Sequence, residues 1–310
     1  MNKLSIIIPC YFNEQNIPVT MQKLLENELL FNNELAFEYV MVDDGSEDNT
    51  WNELEKFKAT QPNDKVKLIK LSGNFGSYNA ILAGMKYATG DCNVIIAADL
   101  QDPPELMVKM HEYWKKGLKL VIANRTDRKD PFFSKLFAKT FQYIIKKFAL
   151  KNLPDGGFDF VLFDKQLRDE VVQLNEKNTN TLYLFTWMKY EYITIPYQRR
   201  EREIGKSRWT FSKKLKLFID SFVSFSFFPI RLITITGFIL GIISLLYASF
   251  IIYNKIVGNI QIAGWSGLMV IILLVSSFQM IALGILGEYI WRTLDASRNR
   301  PNYVIDKTEL

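Results

Sequence analysis

The chain has 310 residues, a formal net charge of +5 and 48% hydrophobic residues, enough for one large domain or two small ones. Only two cysteines, Cys10 and Cys92, are present, each two residues from a predicted strand, which excludes a disulfide scaffold and suits buried thiols in a reducing compartment. The charge is uneven: residues 125–151 and 199–216 each carry a net +6 while the rest sums to −7, a pattern that points to lipid headgroups or phosphates as partners rather than nucleic acid.

In chain order, apolar runs at 4–8, 39–42, 66–71, 94–98 and 120–123 read as strands buried on both faces. Helical patterns at 16–30, 50–60, 78–88 and 104–116 lie between them, so the expectation is an α/β sheet with right-handed crossovers. Residues 1–20 lack a secretory-signal pattern, being interrupted by Pro9, Asn13 and Glu14, so the first domain is expected to stay on the side of the membrane where it is made. His111 lies within the fourth helix, where a surface or structural role is expected.

After Arg125 the pattern changes. Phe133, Phe137, Phe141, Ile144 and Phe148 recur with lysines between them, a basic amphipathic helix that either packs on the core or lies on a membrane surface. Strands at 158–163 and 192–197 are expected to extend the sheet. A second basic, aromatic stretch at 211–228 reads as an interfacial helix ending at Pro229.

Residues 232–254 and 256–287 contain no charge. The first of these would span about 34 Å as a helix, enough for a bilayer core of about 30 Å. The second is longer than needed, and its span is expected to begin near Trp265. Lys213, Lys214, Lys216 and Arg231 precede the first span, Arg292, Arg298, Arg300 and Lys307 follow the second, and only Lys255 lies between, so both flanks are expected in the cytoplasm. Gly237 and Gly241 have a spacing that permits close helix contact, within the hairpin or between protomers. Glu288, Tyr289 and Arg292 read as interfacial anchors.

The chemistry concentrates after the strands, where open α/β sheets bind ligands. Asp99 and Gln101 follow the fourth strand, and strand alternation puts them on one side; a carboxylate and an amide oxygen suit Mg²⁺ or Mn²⁺ sharing its shell with phosphates. A turn that caps the next helix explains the same residues without a ligand. Asp43-Asp44-Gly45-Ser46 can accept hydrogen bonds from ribose and base, or form a turn with an N-cap. Pro9-Cys10-Tyr11-Phe12-Asn13-Glu14 offers an aromatic beside a carboxylate, which suits a nucleoside, or a plain loop.

Together with Asn74-Phe75-Gly76, and with 99–105 reading Asp-Leu-Gln-Asp-Pro-Pro-Glu, these motifs in this order resemble family 2 glycosyltransferases of the GT-A fold. The polyprenyl-phosphate glycosyltransferases are similar over essentially the whole chain, including Asp159-Phe160, Arg202, 205–209 (Gly-Lys-Ser-Arg-Trp) and the two spans. The resemblance implies a Rossmann-like mixed sheet over 1–210, an amphipathic helix over 211–229, a two-helix transmembrane hairpin over 230–291 and a cytoplasmic tail over 292–310.

It also implies roles. Pro9, Tyr11, Glu14, Asp43, Asp44 and Asp99 would hold the nucleotide, and Asp99 with Gln101 would hold Mg²⁺ or Mn²⁺ on the diphosphate. Arg125, Arg128 and Asp159 would stand at the reacting centre, and Arg202, Ser207 and Arg208 on the diphosphate or the acceptor phosphate. Many relatives carry Asp-Ala-Asp where this chain reads Ala97-Ala98-Asp99, which puts a sugar or ribose contact in doubt but leaves the metal pair.

The implied reaction is inverting, metal-dependent transfer of one sugar, first of all from a UDP-sugar, to polyprenyl phosphate at the cytoplasmic membrane face. The bilayer, and a second copy of the chain, are further expected partners. Two alternatives stand beside it. A processive polysaccharide synthase would carry QxxRW, where this chain has Gly205 three residues before Arg208. A non-enzymatic membrane scaffold is motivated by Ala97 alone.

Overall fold

A computed structural model describes residues 1–125, 132–174, 176–177, 179–200, 211–257 and 264–310. The chain divides into two units, Met1–Ser221 with Pro301–Leu310, and Phe222–Arg300.

The first unit is built on an eight-stranded mixed sheet, ordered β7-β5-β6-β4-β1-β2-β3-β8. At its centre β1 (Asn2–Cys10) and β2 (Leu35–Asp43) run parallel and in register from Asn2↔Leu35 to Cys10↔Asp43. Their continuous apolar runs arise because both sheet faces are covered: Leu4, Ile6, Ile7 and Ile8 are all fully buried. Side chains alternate across the sheet. On one face Leu4, Ile6 and Ile8 pack with Ile17, Met21 and Leu24 of α1 (Ile17–Glu28) and Met107 and Met110 of α4 (Leu106–Lys115). On the other, α3 (Ser77–Tyr87) lies along β1 and β2 and meets α6 (Lys165–Leu174) and α7 (Thr181–Trp187). α7 begins at Asn180, whose side chain accepts from Leu182 N at 3.0 Å as an N-cap.

β3 (Val66–Leu71) and β4 (Cys92–Ile95) flank the central pair in parallel. β6 (Phe160–Asp164) does not extend the sheet outward. It inserts antiparallel between β4 and β5 (Leu120–Arg125), and β7 (Tyr192–Tyr197) forms the edge beside β5. The other edge is β8 (Ile305–Glu309), antiparallel to β3, a strand that the sequence pattern does not announce. A buried carboxylate also joins the layers. Glu38 of β2, 1% exposed, accepts from Ser5 Oγ at 2.5 Å, Thr89 N at 2.8 Å and Thr89 Oγ1 at 2.7 Å, and pairs with Lys67 Nζ at 2.7 Å. Burial opposes that charge, but the hydrogen bonds from Lys67, Ser5 and Thr89 hold the carboxyl below its usual range.

His111 is structural: it is buried, meets the Phe31 ring edge-on and stacks on Trp114 at 5.5 Å, and burial lowers its pKa. In the basic helix α5 (Phe132–Phe148), Ile145 is buried, Tyr143 and Lys147 are exposed, and Phe141 meets Phe218 of α8 (Phe211–Phe225) at 5.5 Å.

The second unit holds α9 (Phe228–Ile256) and α10 (Trp265–Ser297). Within them Phe228–Asn254 and Gly267–Ser297, of mean hydropathy 2.3 and 2.5, are long and apolar enough to cross a bilayer, and their apolar side chains are exposed. That combination points to membrane anchoring. No atom lies within 4 Å of a Cβ placed on Gly237 or Gly241, so the described chain makes no close helix contact there. Glu288 and Arg292 pair at 2.9 Å within α10, and Tyr289 donates to the Ser226 carbonyl at 2.9 Å, tying the turn before α9 to α10.

Candidate active site

Three polar loops meet at the carboxyl edge of the parallel strands, stitched by their own side chains. Tyr11 N donates to Asn13 Oδ1 (2.8 Å), Phe12 N to Ser46 Oγ (3.0 Å) and Asn13 N to Thr50 Oγ1 (2.8 Å), while Glu14 accepts from Asn49 N (3.1 Å). These bonds hold Phe12 at φ +54°, a conformation that costs a non-glycine residue energy and therefore needs such support. Pro9 lies within β1 itself, paired with Val42.

The adjacent carboxylates Asp43 and Asp44 are both buried but do different things. Asp44 accepts Phe75 N at 2.7 Å and Gly76 N at 2.9 Å, one on each oxygen, so it braces the loop after β3. Burial raises its pKa to about 6 against the pull of those two donors. Asp43 accepts Ser46 N at 3.0 Å on one oxygen, and its Oδ2 is buried with no hydrogen-bond partner among the described residues. Its pKa is also raised by burial. Gly45 has φ +68°, and a Cβ there would stand 2.4 Å from the Gly73 carbonyl carbon, so only glycine lets the two loops touch.

Asp99 and Gln101 lie beyond β4 in a turn rather than on alternating strand positions. Leu100 sits at φ +52° between them, and Gln101 N donates to Asp99 Oδ1 at 3.3 Å. Gln101 also binds the chain after β7: Arg200 N donates to its carbonyl at 2.9 Å, and its side-chain amide donates to the Arg200 carbonyl at 3.3 Å. The amide nitrogen is thus committed and Gln101 Oε1 is the acceptor left over. One carboxylate and one amide oxygen fit a hard divalent cation that completes its shell with phosphate oxygens and water. Among the described residues no group of three or more His, Cys, Asp or Glu could hold a metal by itself.

A second cluster lies at the ends of β5, β6 and β7. Arg125, 9% exposed at its side chain, forms an ion pair with Asp159, which is half exposed at 47%. Arg125 Nε also donates to Tyr197 Oη at 3.3 Å, and Tyr197 donates in turn to Asp102. Arg199 Nε stands 3.6 Å from the same Asp102, which is fully buried and whose Oδ2 has no hydrogen-bond partner among the described residues. Burial alone would lower the Arg125 pKa, but the carboxylates of Asp159 and Asp102 outweigh it and keep the guanidinium charged. Burial holds the Asp102 carboxyl above its usual range, and the charges of Arg125 and Arg199 offset this only in part. Gly156 closes the turn before Asp159 at φ +89°; its N donates to Gln142 Oε1 at 3.1 Å, and a Cβ would stand 2.9 Å from the Arg125 carbonyl oxygen.

The expected residues thus fall into two neighbourhoods, Pro9, Tyr11, Glu14, Asp43 and Asp44 in the first and Arg125 and Asp159 in the second, while Asp99 and Gln101 lie on the loop that leads into Asp102, with Gln101 bonded to Arg200. Arg128, Arg202, Ser207 and Arg208 lie outside the described residues. Sequence reasoning gave no role to Asp102, Tyr197 or Arg199. Asp102 stands inside the motif already singled out, but nothing local marks Tyr197, 95 residues away, as its partner.

Residues 5–232 match the profile of Glycosyl transferase family 2. The chain is 37% identical over 305 residues to "Uncharacterized glycosyltransferase YkcC" of Bacillus subtilis (strain 168), covering 98% of this chain and 93% of that one. It is 31% identical over 307 residues to the "Bactoprenol glucosyl transferase" of Shigella phage SfII, covering 99% and 98%, and 30% identical over 308 residues to a "Prophage bactoprenol glucosyl transferase homolog" of Escherichia coli (strain K12), covering 99% of each. Among solved structures it is similar to the mannosyltransferase PcManGT from Pyrobaculum calidifontis in complex with GDP-Man and Mn²⁺, at 20% identity and a TM-score of 0.45 over 63% of this chain and 55% of that one. The mixed sheet is GT-A-like, and the chain is a glycosyltransferase that belongs to Glycosyl transferase family 2.

Proposed function

We propose that the protein transfers a single sugar from a nucleotide-sugar donor to polyprenyl phosphate, with inversion, at the cytoplasmic face of a membrane. The observation that carries this reading is the presence, at one sheet edge, of loops bearing buried carboxylates and of a buried guanidinium, Arg125, in a chain whose full-length relatives include proteins named bactoprenol glucosyl transferases. Those names make bactoprenyl phosphate the first acceptor to test, and glucose the first sugar.

In this reading Asp43 Oδ2 accepts from the nucleoside, Tyr11 and Glu14 flank it, and Asp44 keeps the wall at 75–76 in place. Asp99 and Gln101 hold Mg²⁺ or Mn²⁺, which would neutralise charge on the diphosphate. Arg125 stabilises developing negative charge, or the incoming phosphate, in a site where burial strengthens the interaction. A lipid phosphate is already an anion at neutral pH, so the acceptor needs approach rather than deprotonation. Asp159 accordingly fixes Arg125 and orients the sugar or acceptor. Arg128, Arg202, Ser207 and Arg208 complete the phosphate contacts. Attack opposite the leaving diphosphate inverts the anomeric centre.

The cytoplasmic placement rests on the basic flanks of the hairpin. It is supported by β8, which returns to the sheet after α10 and so favours an even number of crossings. The test is a panel of nucleotide sugars offered to membranes containing the full chain and undecaprenyl phosphate, read by the mass of the lipid product. A single-sugar adduct supports the reading. Long polymer would establish a processive synthase instead, and absence of any transfer or donor hydrolysis would leave a scaffold.

A further inference from the structure

The loop that Asp44 braces is held from its other side by a strand that belongs to no part of the pocket. Ser72 N, the first backbone donor after β3, bonds to the Val304 carbonyl at 2.9 Å. From there β8 runs antiparallel along β3, Leu71↔Ile305 to Leu68↔Glu309, with a register shift at Lys70/Leu71. Such irregularities bend a strand and re-aim the residues beyond it. Beyond this one lie Ser72, Gly73, which touches Gly45, and Phe75 and Gly76, which bind Asp44.

β8 is itself pinned by side chains of the nucleotide half of the sheet. Lys58 Nζ donates to the Val66 carbonyl at 2.9 Å and to the Glu309 carbonyl at 2.8 Å, clamping the two strands. Lys307 pairs with Glu55 at 2.8 Å and lies over the Trp51 ring at 5.4 Å, while Asn302 Nδ2 donates to the Glu176 carbonyl at 3.1 Å. Edge protection alone would need a short or charged strand. It would not need the last bond of the ladder to fall on the first residue of the pocket loop.

We infer that Pro301–Leu310 is a positioning element of the donor pocket: Val304 and the β8 ladder hold the 72–76 loop where Asp44 and Gly45 can engage it, so that the segment leaving the second apolar helix sets nucleotide affinity. The inference rests on the nucleotide-sugar part of the proposed function, and not on the acceptor.

The test compares the full chain, a chain ending at Arg300 and the variant Lys307→Glu, each in detergent micelles, by equilibrium binding of fluorescent uridine and guanosine diphosphates, by thermal melting and by Michaelis constants for transfer. Loss of Pro301–Leu310 should weaken nucleoside diphosphate binding about tenfold, and a synthetic peptide of those residues should restore it. Lys307→Glu, which faces Glu55 and Glu309 with a like charge, should weaken binding about threefold with the KM for lipid phosphate unchanged. Unchanged nucleotide affinity in a folded truncated chain overturns the inference, as does a loss that tracks melting and that the peptide does not reverse. Should the truncated chain not fold, Lys307→Glu decides: unchanged affinity at unchanged melting overturns it. A wild-type chain that binds the probe but transfers nothing to polyprenyl phosphate fails the functional reading and leaves this one standing; one that binds neither probe fails both.

Discussion

Arg125 and Asp159 form an ion pair across the ends of two neighbouring antiparallel strands, with Arg125 buried and Asp159 open to the edge of the sheet. In the proposed reaction this pair would present a fixed guanidinium to a phosphate. Arg125→Lys keeps the charge but loses the planar fork, and Asp159→Asn keeps the shape but releases the arginine. Each should lower kcat/KM for sugar transfer by about 10²-fold, with donor KM altered far less, as read from initial rates of lipid product. A change below about threefold in both would remove the pair from the reacting centre.

Behind that pair, Asp102 and Tyr197 are matched in burial. Asp102→Ala leaves Arg125 and Arg199 short of a counter-charge in a buried setting, and should cost about 3–5 kcal/mol of stability. Tyr197→Phe removes one hydroxyl and should cost about 1 kcal/mol. Denaturant midpoints of the full chain measure both, and equal costs would show that the buried charge is not what the cluster neutralises.

Gly45→Ala places a methyl against the Gly73 backbone at φ +68°. It should destabilise by more than about 1 kcal/mol and weaken nucleoside diphosphate binding. Gly117→Ala is the control: φ is +95° but nothing lies within 4 Å, so strain without collision should lower melting and leave nucleotide affinity alone. Equal affinity losses would argue against loop contact as the cause.

Asp44 supplies a pH signature. Burial raises its carboxyl from 3.8 to about 6 in the folded chain, so the folded protein holds this proton over an interval in which the unfolded chain has released it. The associated stability, on the order of 3 kcal/mol, is fully present below the unfolded value and is lost as pH rises through about 6. Melting of wild type relative to Asp44→Asn should therefore decline as pH goes from about 4 to about 7. A pH-independent difference would show that Asp44 titrates normally.

Removal of divalent cations by a chelator should suppress transfer by about 10²-fold or more, restored by Mg²⁺ or Mn²⁺, and Asp99→Ala should do the same without restoration. Full activity of Asp99→Ala would place the metal elsewhere.

Legibility differed by element. The runs forming β1 to β5 could be read because strands buried on both faces must be apolar at nearly every position. β8 could not: Ile305-Asp306-Lys307-Thr308-Glu309 is a polar edge sequence that becomes a strand because β3 offers an unpaired ladder. The strand expected at 158–163 was legible as a strand, but its antiparallel insertion between β4 and β5 was not, since register depends on partners far along the chain. The same limit applied to the double carboxylate: Asp43-Asp44 could be singled out, but the division of labour within it could not, because the donors on Asp44 come from residues 75 and 76.

The sequence by itself determined the alternating α/β order, the polar loops that come after the strands and the two long charge-free stretches, because each depends on residues within a few turns of one another. The tertiary structure alone decided that Asp44 braces a loop while Asp43 keeps a buried oxygen, that Asp102 and Tyr197 stand behind Arg125, and that the chain returns after its apolar helices to close the sheet. Those are contacts between segments tens to hundreds of residues apart, and they form only when burial brings the segments to one edge.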